Sequence, residues 1–220
     1  MNDALASSRS DRHVVRVTVL GTLALLAATA LTARAGPSDT STVATALALC
    51  RDADFLPADD KDAQRVFLES GMAIADDVVA THPDDPQAQM ALSCILGKQL
   101  LVSGISWRSL QRLNRLRSVI DTALRLAPED PDALVAKGEL LHQLPGALGG
   151  DAHEAERLFR RALAKNAEHL RAHIFLAQVL AERRAEEARR EASLALAQAE
   201  REGTPREIAD ARAIFGAGAH

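Results

Sequence analysis

His169 and His173 stand four residues apart, so a helix would bring both rings to one face. Two imidazoles at this spacing are compatible with a divalent metal ion. A metal centre needs further ligands, and the neighbouring sequence offers neither a carboxylate pair nor a third strong ligand, since Glu168 falls at the helix start. We therefore expect His169 to start a helix and His173 to be half-buried, and we expect no bound metal.

A glycine-rich stretch, GALGGD, runs from Gly146 to Asp151. It lacks the Lys and Ser/Thr of a phosphate-binding loop, and it follows a predicted helix rather than a strand. The sequence also has no G-x-S-x-G nucleophile elbow and no Cys/His nucleophile arrangement. These observations predict a tight turn here, and a non-enzymatic protein without a cofactor.

Cys50 and Cys94 are the two cysteines of the chain. In an oxidising compartment they could form a disulfide that closes a loop of about 45 residues. The alternative is a pair of buried free thiols that pack as small apolar groups. The sequence favours neither interpretation.

Three arginines share one predicted helix face beside the single tryptophan, Trp107. Arg108, Arg112 and Arg115 could contact anionic lipid or an acidic partner. A solvated face opposite the leucine stripe of the same helix is the simpler interpretation.

The composition predicts an all-α fold. Of the 220 residues, 47% are hydrophobic but only 3% are aromatic, and good helix formers dominate. The net charge of −4 argues against nucleic-acid binding, because such binding depends on neutralising phosphates with Lys and Arg.

The first 35 residues are typical of a signal peptide. Arg9, Arg12 and Arg16 precede an apolar run from 17 to 31, and Ala33 to Ala35 form an A-x-A cleavage signal. We expect cleavage after Ala35, a periplasmic mature chain, and one helical domain over 36–220. An uncleaved membrane anchor, which would keep the protein membrane-associated, is the alternative.

Apolar periodicity and helix-breaking loops predict a series of helices along the mature chain. The helix from 60 to 81 has an expected apolar stripe of Val66, Phe67, Ile74 and Val78. Asp130 and Asp151 are expected N-caps, and Glu154 is expected to complete a capping box with Asp151. The predicted helices cover 42–50, 60–81, 86–102, 106–126, 131–143, 151–166, 168–182, 184–201 and 204–215.

Three loops at Pro83, Pro128 and near Ala167 recur about every 40 residues, and the helices between them keep a tetratricopeptide (TPR) register. Leu134, Gly138 and Leu141 match the first helix of the repeat, and Ala155, Phe159 and Ala162 match the second. This register predicts about three TPR-like stacked antiparallel hairpins with an additional N-terminal helix and a C-terminal cap. A plain helical bundle without a groove is the alternative.

The segment LPGALGGDAHEAERLFRRAL resembles the T-component family of TRAP transporters, which are periplasmic TPR-like helical proteins. The resemblance implies a non-enzymatic accessory protein that binds an apolar ligand or docks a periplasmic substrate-binding or transport protein. The matching residues are Pro145, Gly149, Gly150, Asp151, Ala155, Phe159 and Ala162.

We expect a ligand groove between the hairpins. Its occupant could be a partner segment, or a sterol- or hopanoid-like lipid carried between envelope membranes. A structural scaffold without a small ligand, in monomeric or homo-oligomeric form, is a further alternative. The expected lining residues, any of which could instead belong to the core, are Trp107, Leu134, Leu141, Phe159 and Phe175.

Overall fold

The computed structural model describes residues 39–57, 59–103 and 107–217. The predicted signal peptide lies outside these residues. The described residues form helices and connecting turns without any β-strand, which confirms the all-α prediction. No helix among them is long and apolar enough to cross a membrane. The helices are α1 (Asp39–Asp52), α2 (Lys61–Thr81), α3 (Pro86–Ser103), α4 (Trp107–Leu126), α5 (Pro131–Gln143), α6 (Ala152–Lys165), α7 (Leu170–Leu180), α8 (Ala185–Glu202) and α9 (Pro205–Ala217).

Side-chain caps fix several helix starts. The carboxylate of Asp60 accepts a hydrogen bond from the Ala63 N–H at 2.9 Å, and Asp130 accepts one from Ala133 at 2.9 Å. At the start of α9, Thr204 and Glu207 form a reciprocal capping box. These caps satisfy backbone N–H groups that have no partner inside the helix.

The helices are arranged in two layers. Each helix packs on the next along the chain, and the odd-numbered helices also pack on one another in sequence, from α1 through α3, α5 and α7 to α9. The backbones of the even-numbered helices in the described part do not come close to one another. The short turn Ala53–Phe55, which follows α1, packs against α9. The odd-numbered layer therefore curves until its last helix meets its first loop, and we call it the inner layer.

A close contact between α5 and α6 shows how small residues set the packing. Phe159 is fully buried, and its ring lies directly against Gly138. A β-carbon built on Gly138 would be only 2.5 Å from Cε1 of that ring. Gly138 is therefore required for the two helices to approach this closely, as the repeat register predicts.

The buried face of α2 differs from the predicted stripe. Val66 is 65% exposed, although Val78 is buried as expected. Gly71 lies at the contact of α2 with α3, where an added β-carbon would lie 3.1 Å from Cδ1 of Ile95. The buried residues of α2 follow spacings of four and three, namely Gln64, Leu68, Gly71, Ala75 and Val78.

A disulfide joins α1 to α3. Cys50 and Cys94 are bonded, with their Cα atoms 6.0 Å apart and a separation of 44 residues in sequence. Cys50 is 1% exposed and belongs to the core cluster of Leu92, Ile95 and Leu96. The structure therefore contains the disulfide, and the two cysteines are not free thiols.

Ion pairs connect helix α6 to the start of helix α8. Glu156 of α6 accepts hydrogen bonds from Arg160 at 2.9 Å and from Arg184, and Arg160 also reaches Glu187 of α8 at 2.6 Å. Burial acts to raise the pKa of Glu156, but its two arginine partners outweigh that effect and lower the pKa below 4.5. The carboxylate therefore stays ionised although its side chain is only 11% exposed.

Candidate functional site

The structure describes the side chains of four of the five predicted groove residues, two of which are fully buried and two half-buried. Leu134 and Phe159 are 1% and 0% exposed, so they lie beneath any groove and a bound ligand would not contact them. Leu141 and Phe175 are half-buried. Trp107 begins α4, but its side chain lies outside the described residues.

Phe175 lies between the core and a charged group of its own helix. Its ring stacks on that of Phe159, with the centroids 5.8 Å apart. The guanidinium carbon of Arg171 lies 5.6 Å from the Phe175 centroid, within the range of a cation–π contact. The aromatic pair thus links the core of the hairpins to a cationic group of α7.

The Gly-Gly-Asp turn is a structural connector. Gly149 has a φ of 83°, a conformation that favours glycine, and the Gly150 N–H donates to the Pro145 carbonyl at 3.0 Å. The Asp151 carboxylate caps α6 by accepting from the N–H groups of His153 and Glu154. The bond from the Glu154 N–H is the main reason that the pKa of Asp151 is lowered.

The predicted capping box at this turn is incomplete. The Glu154 carboxylate pairs with Arg157 at 2.6 Å and does not reach back to the Asp151 N–H. That N–H donates instead to the carbonyl of Leu141 at 2.9 Å, at the end of the preceding helix. The preceding helix, α5, therefore supplies the hydrogen-bond acceptor that the capping glutamate would have supplied.

His169 and His173 both form hydrogen bonds with other groups of the protein. His169 accepts from the Ala172 N–H at 3.3 Å, which makes it the N-cap of α7, and its Nε2 lies 3.0 Å from the Asp132 carboxylate. His173 lies 2.6 Å from the Glu191 carboxylate and 2.9 Å from the Ala167 carbonyl. The hydrogen bond from His169 is the main cause of the lowered pKa of Asp132. Within the described residues, no group of three potential metal ligands comes together.

A set of charged residues that the sequence did not indicate lies on the inner layer, and we call it the ionic cluster. Asp54, in the turn that packs on α9, forms an ion pair with Lys98 of α3, and the two side chains are only 14% and 13% exposed. Burial lowers the pKa of Lys98, although Asp54 favours the charged form. Glu139 of α5 and Arg171 of α7 form a second pair. The field of Glu139 is the main reason that the pKa of Arg171 is raised.

Helix α9 adds further charges to the ionic cluster. The pKa of Asp210 is raised, chiefly by burial and also by the nearby carboxylates of Asp54 and Glu139. Arg206 opposes this shift, and its Nε lies 4.0 Å from the Asp210 carboxylate. The inner layer thus presents partly desolvated groups of both signs, drawn from α3, α5, α7, α9 and the turn after α1. Such a surface is suited to polar and charged groups of a partner.

A second surface feature, which we call the arginine cleft, lies between α2 and α4 over α3 and has a volume of about 450 Å³. Leu96, which lies in the lining, is only 1% exposed. The spacing of the three arginines in the sequence indicates this surface, although a solvated helix face is the simpler interpretation of that spacing. The lining residues include Glu69 and Met72 from α2, Leu96 from α3, and Arg108, Arg112 and Arg115 from α4.

Comparison with known proteins bears on the fold. No family model and no curated protein matches the sequence. The structure is similar to TTC0263, a thermophilic TPR protein of Thermus thermophilus, with 18% identity over 82% of this chain and 98% of that chain, and a TM-score of 0.53. Two structures of MamA superpose less well: one has 12% identity over 81% of this chain and 91% of that chain with a TM-score of 0.43, and the other 13% over 74% and 94% with 0.42. The layered hairpins and the similarity to TTC0263 together show that the chain has a TPR-like, all-α fold.

Proposed function

We propose that this protein is an exported, non-enzymatic binding module that holds a segment of a partner protein against its inner layer. The observation that carries the proposal is the ionic cluster, in which charged side chains from four inner-layer helices and one turn lie close enough to interact electrostatically. Stacked helical repeats characteristically use their inner surface for binding.

The chemistry of this surface favours a protein segment over a lipid. A sterol- or hopanoid-like ligand laid on the inner layer would cover Arg171, Arg206 and Asp210, which are partly exposed, with hydrocarbon. Desolvating such groups without new hydrogen bonds is costly. A peptide can instead offer amides and charges to the same groups while an apolar side chain contacts Phe175.

Two features support an exported partner that serves transport. The disulfide between Cys50 and Cys94 suits an oxidising compartment, which agrees with the signal-like segment at 1–35. The Gly-Gly-Asp turn and its packing residues resemble those of the TRAP transporter T-component. We therefore propose a periplasmic substrate-binding protein as the partner.

The test uses the tagged mature chain, isolated from the periplasmic fraction of its own host. We expect a substrate-binding protein to be recovered with it at a 1:1 ratio. Arg206→Glu should reduce recovery at least about tenfold, since a like charge placed in an electrostatic interface costs more than a kcal/mol. Arg212→Glu is the matched control, because Arg212 lies on the same helix but pairs with Glu200 of α8 at 3.1 Å.

Two outcomes would overturn the proposal. One is a stoichiometric lipid in a solvent extract of the purified protein, together with no recovered protein partner. The other is equal recovery of the partner by the Arg206→Glu and Arg212→Glu variants, which would place the contact away from the inner layer.

A further inference from the structure

Helix α4 is strongly basic within an acidic protein. It carries five arginines against one carboxylate, Asp121, whereas the whole chain has a net charge of −4. Three of these arginines line the arginine cleft. The positive charge is therefore concentrated at one place on the surface, beside a concave feature, and a general excess of basic residues does not explain it.

The three cleft arginines differ in how fully the protein itself uses them. Arg115 forms an ion pair with Asp76 of α2. Arg112 donates to the Ser103 hydroxyl at 3.1 Å, and within the described residues it has no carboxylate partner. Arg108 is exposed and likewise has no ion pair in the described part of the chain. Two guanidinium groups, one helical turn apart, thus remain able to bind a carboxylate.

The opposite wall of the cleft sets the kind of ligand that fits. Met72 and Leu96 supply apolar contact near the base, and Leu96 is almost completely covered, so the accessible apolar area is small. Glu69, which is exposed on α2, would repel an anion placed close to that wall. A ligand with carboxylates along the α4 side and one apolar group toward the base meets both conditions.

We infer that the arginine cleft binds an acidic segment of a partner protein, with carboxylates on Arg108 and Arg112. A guanidinium binds a carboxylate through two parallel hydrogen bonds, which is stronger and more directional than attraction between point charges. This inference rests on the proposed function, because it gives the same partner a second contact on the outer side of the stack.

The experiment measures fluorescence anisotropy of a labelled 12-residue peptide that carries four glutamates around a central leucine. The protein is the mature full chain at low salt. We expect the peptide to bind at least about tenfold tighter than the same peptide with glutamines, because charge-assisted bonds are roughly twice as strong as neutral ones. Raising the salt to about 0.5 M should weaken the binding, since exposed charges are then screened.

Two double variants test whether the acidic peptide binds at the arginine cleft. Arg108→Gln/Arg112→Gln should lose the preference for the acidic peptide. Arg125→Gln/Arg190→Gln, which removes the same charge from exposed arginines elsewhere on α4 and on α8, should keep it. Equal binding by the two double variants, or equal binding of the two peptides to the unchanged protein, would overturn the inference.

Two further outcomes separate this inference from its alternatives. Binding of phosphatidylglycerol vesicles without binding of the acidic peptide would overturn it in favour of a membrane surface. Undiminished recovery of the substrate-binding protein by Arg108→Gln/Arg112→Gln, with recovery still lost in Arg206→Glu, would refute the cleft contact and leave the inner-layer function standing.

Discussion

Replacing Gly138 by alanine tests whether the close contact between α5 and α6 is as tight as the structure has it. The new β-carbon would stand 2.5 Å from Cε1 and 2.9 Å from Cζ of Phe159. Carbon atoms in favourable contact are about 3.5–4.0 Å apart, so the ring must move by roughly 1 Å. The ring is fully buried and stacked on Phe175, and neighbouring core side chains limit its movement.

A second glycine isolates the steric effect. Gly97 also lies inside a helix, but an added β-carbon there would have no atom within 4 Å. Gly97→Ala should therefore raise the free energy of unfolding by about 0.5–1 kcal/mol through helix propensity alone. Gly138→Ala gains the same propensity and loses about 1–3 kcal/mol to overpacking. The difference between the two variants is then about 1–3 kcal/mol, because the propensity contribution cancels.

Urea unfolding of the oxidised mature chain, followed by circular dichroism, measures this difference. Gly138→Ala should also melt several degrees below Gly97→Ala, because a protein of this size shifts by roughly 2–4 °C per kcal/mol. In the Gly138→Ala/Phe159→Leu double variant the smaller side chain should relieve the overlap, giving a favourable coupling energy. If the two single variants are equally stable within about 0.3 kcal/mol and no coupling is found, the reasoning about this contact is refuted.

Three further predictions concern the turn, the disulfide and acid stability. Gly150→Ala should destabilise the protein and disturb the turn, because its β-carbon would lie 1.7 Å from the Leu144 carbonyl oxygen; an unchanged urea midpoint would contradict this. Reduction of Cys50–Cys94, which spans 44 residues, should lower the free energy of unfolding by about 4 kcal/mol on the chain-entropy model, measured by urea unfolding with and without a reductant. The lowered pKa of Glu156 gives stability that is present above about pH 4.5 and lost as the pH falls through the folded-state pKa. In the Glu156→Gln variant the free energy of unfolding should therefore fall less steeply as the pH is lowered below about 4.5. An unaltered dependence on pH would count against the role given to Glu156.

Local signals predicted much of the fold. Pro131 after Asp130 defines the start of α5, and the predicted helix ends at Gln143 as the structure has it. The contact between Gly138 and Phe159 follows from the repeat register, because a glycine and an aromatic residue at these positions imply close helices. Such features depend on residues near one another in sequence, where capping and periodicity act directly.

The parts that sequence reasoning missed depend on distant residues. Val66 fits an apolar stripe by type, but Gly71 and Ala75 allow the closer approach to α3, so the buried face is rotated. The pairing of Asp54 with Lys98 joins residues 44 positions apart and has no periodic signature. These two residues become neighbours because α1 packs on α3, where Cys50 and Cys94 are also joined.

The contact of α9 with the turn Ala53–Phe55 affects how the molecule unfolds. An open stack of repeats can fray from either end, because each unit is held only by its neighbours. Here the two ends support each other, so opening one exposes the other. Amide hydrogens of α1 and α9 should then exchange together rather than in order along the chain. A partner that separates α9 from the turn Ala53–Phe55 would free both ends of the stack to open at the same time.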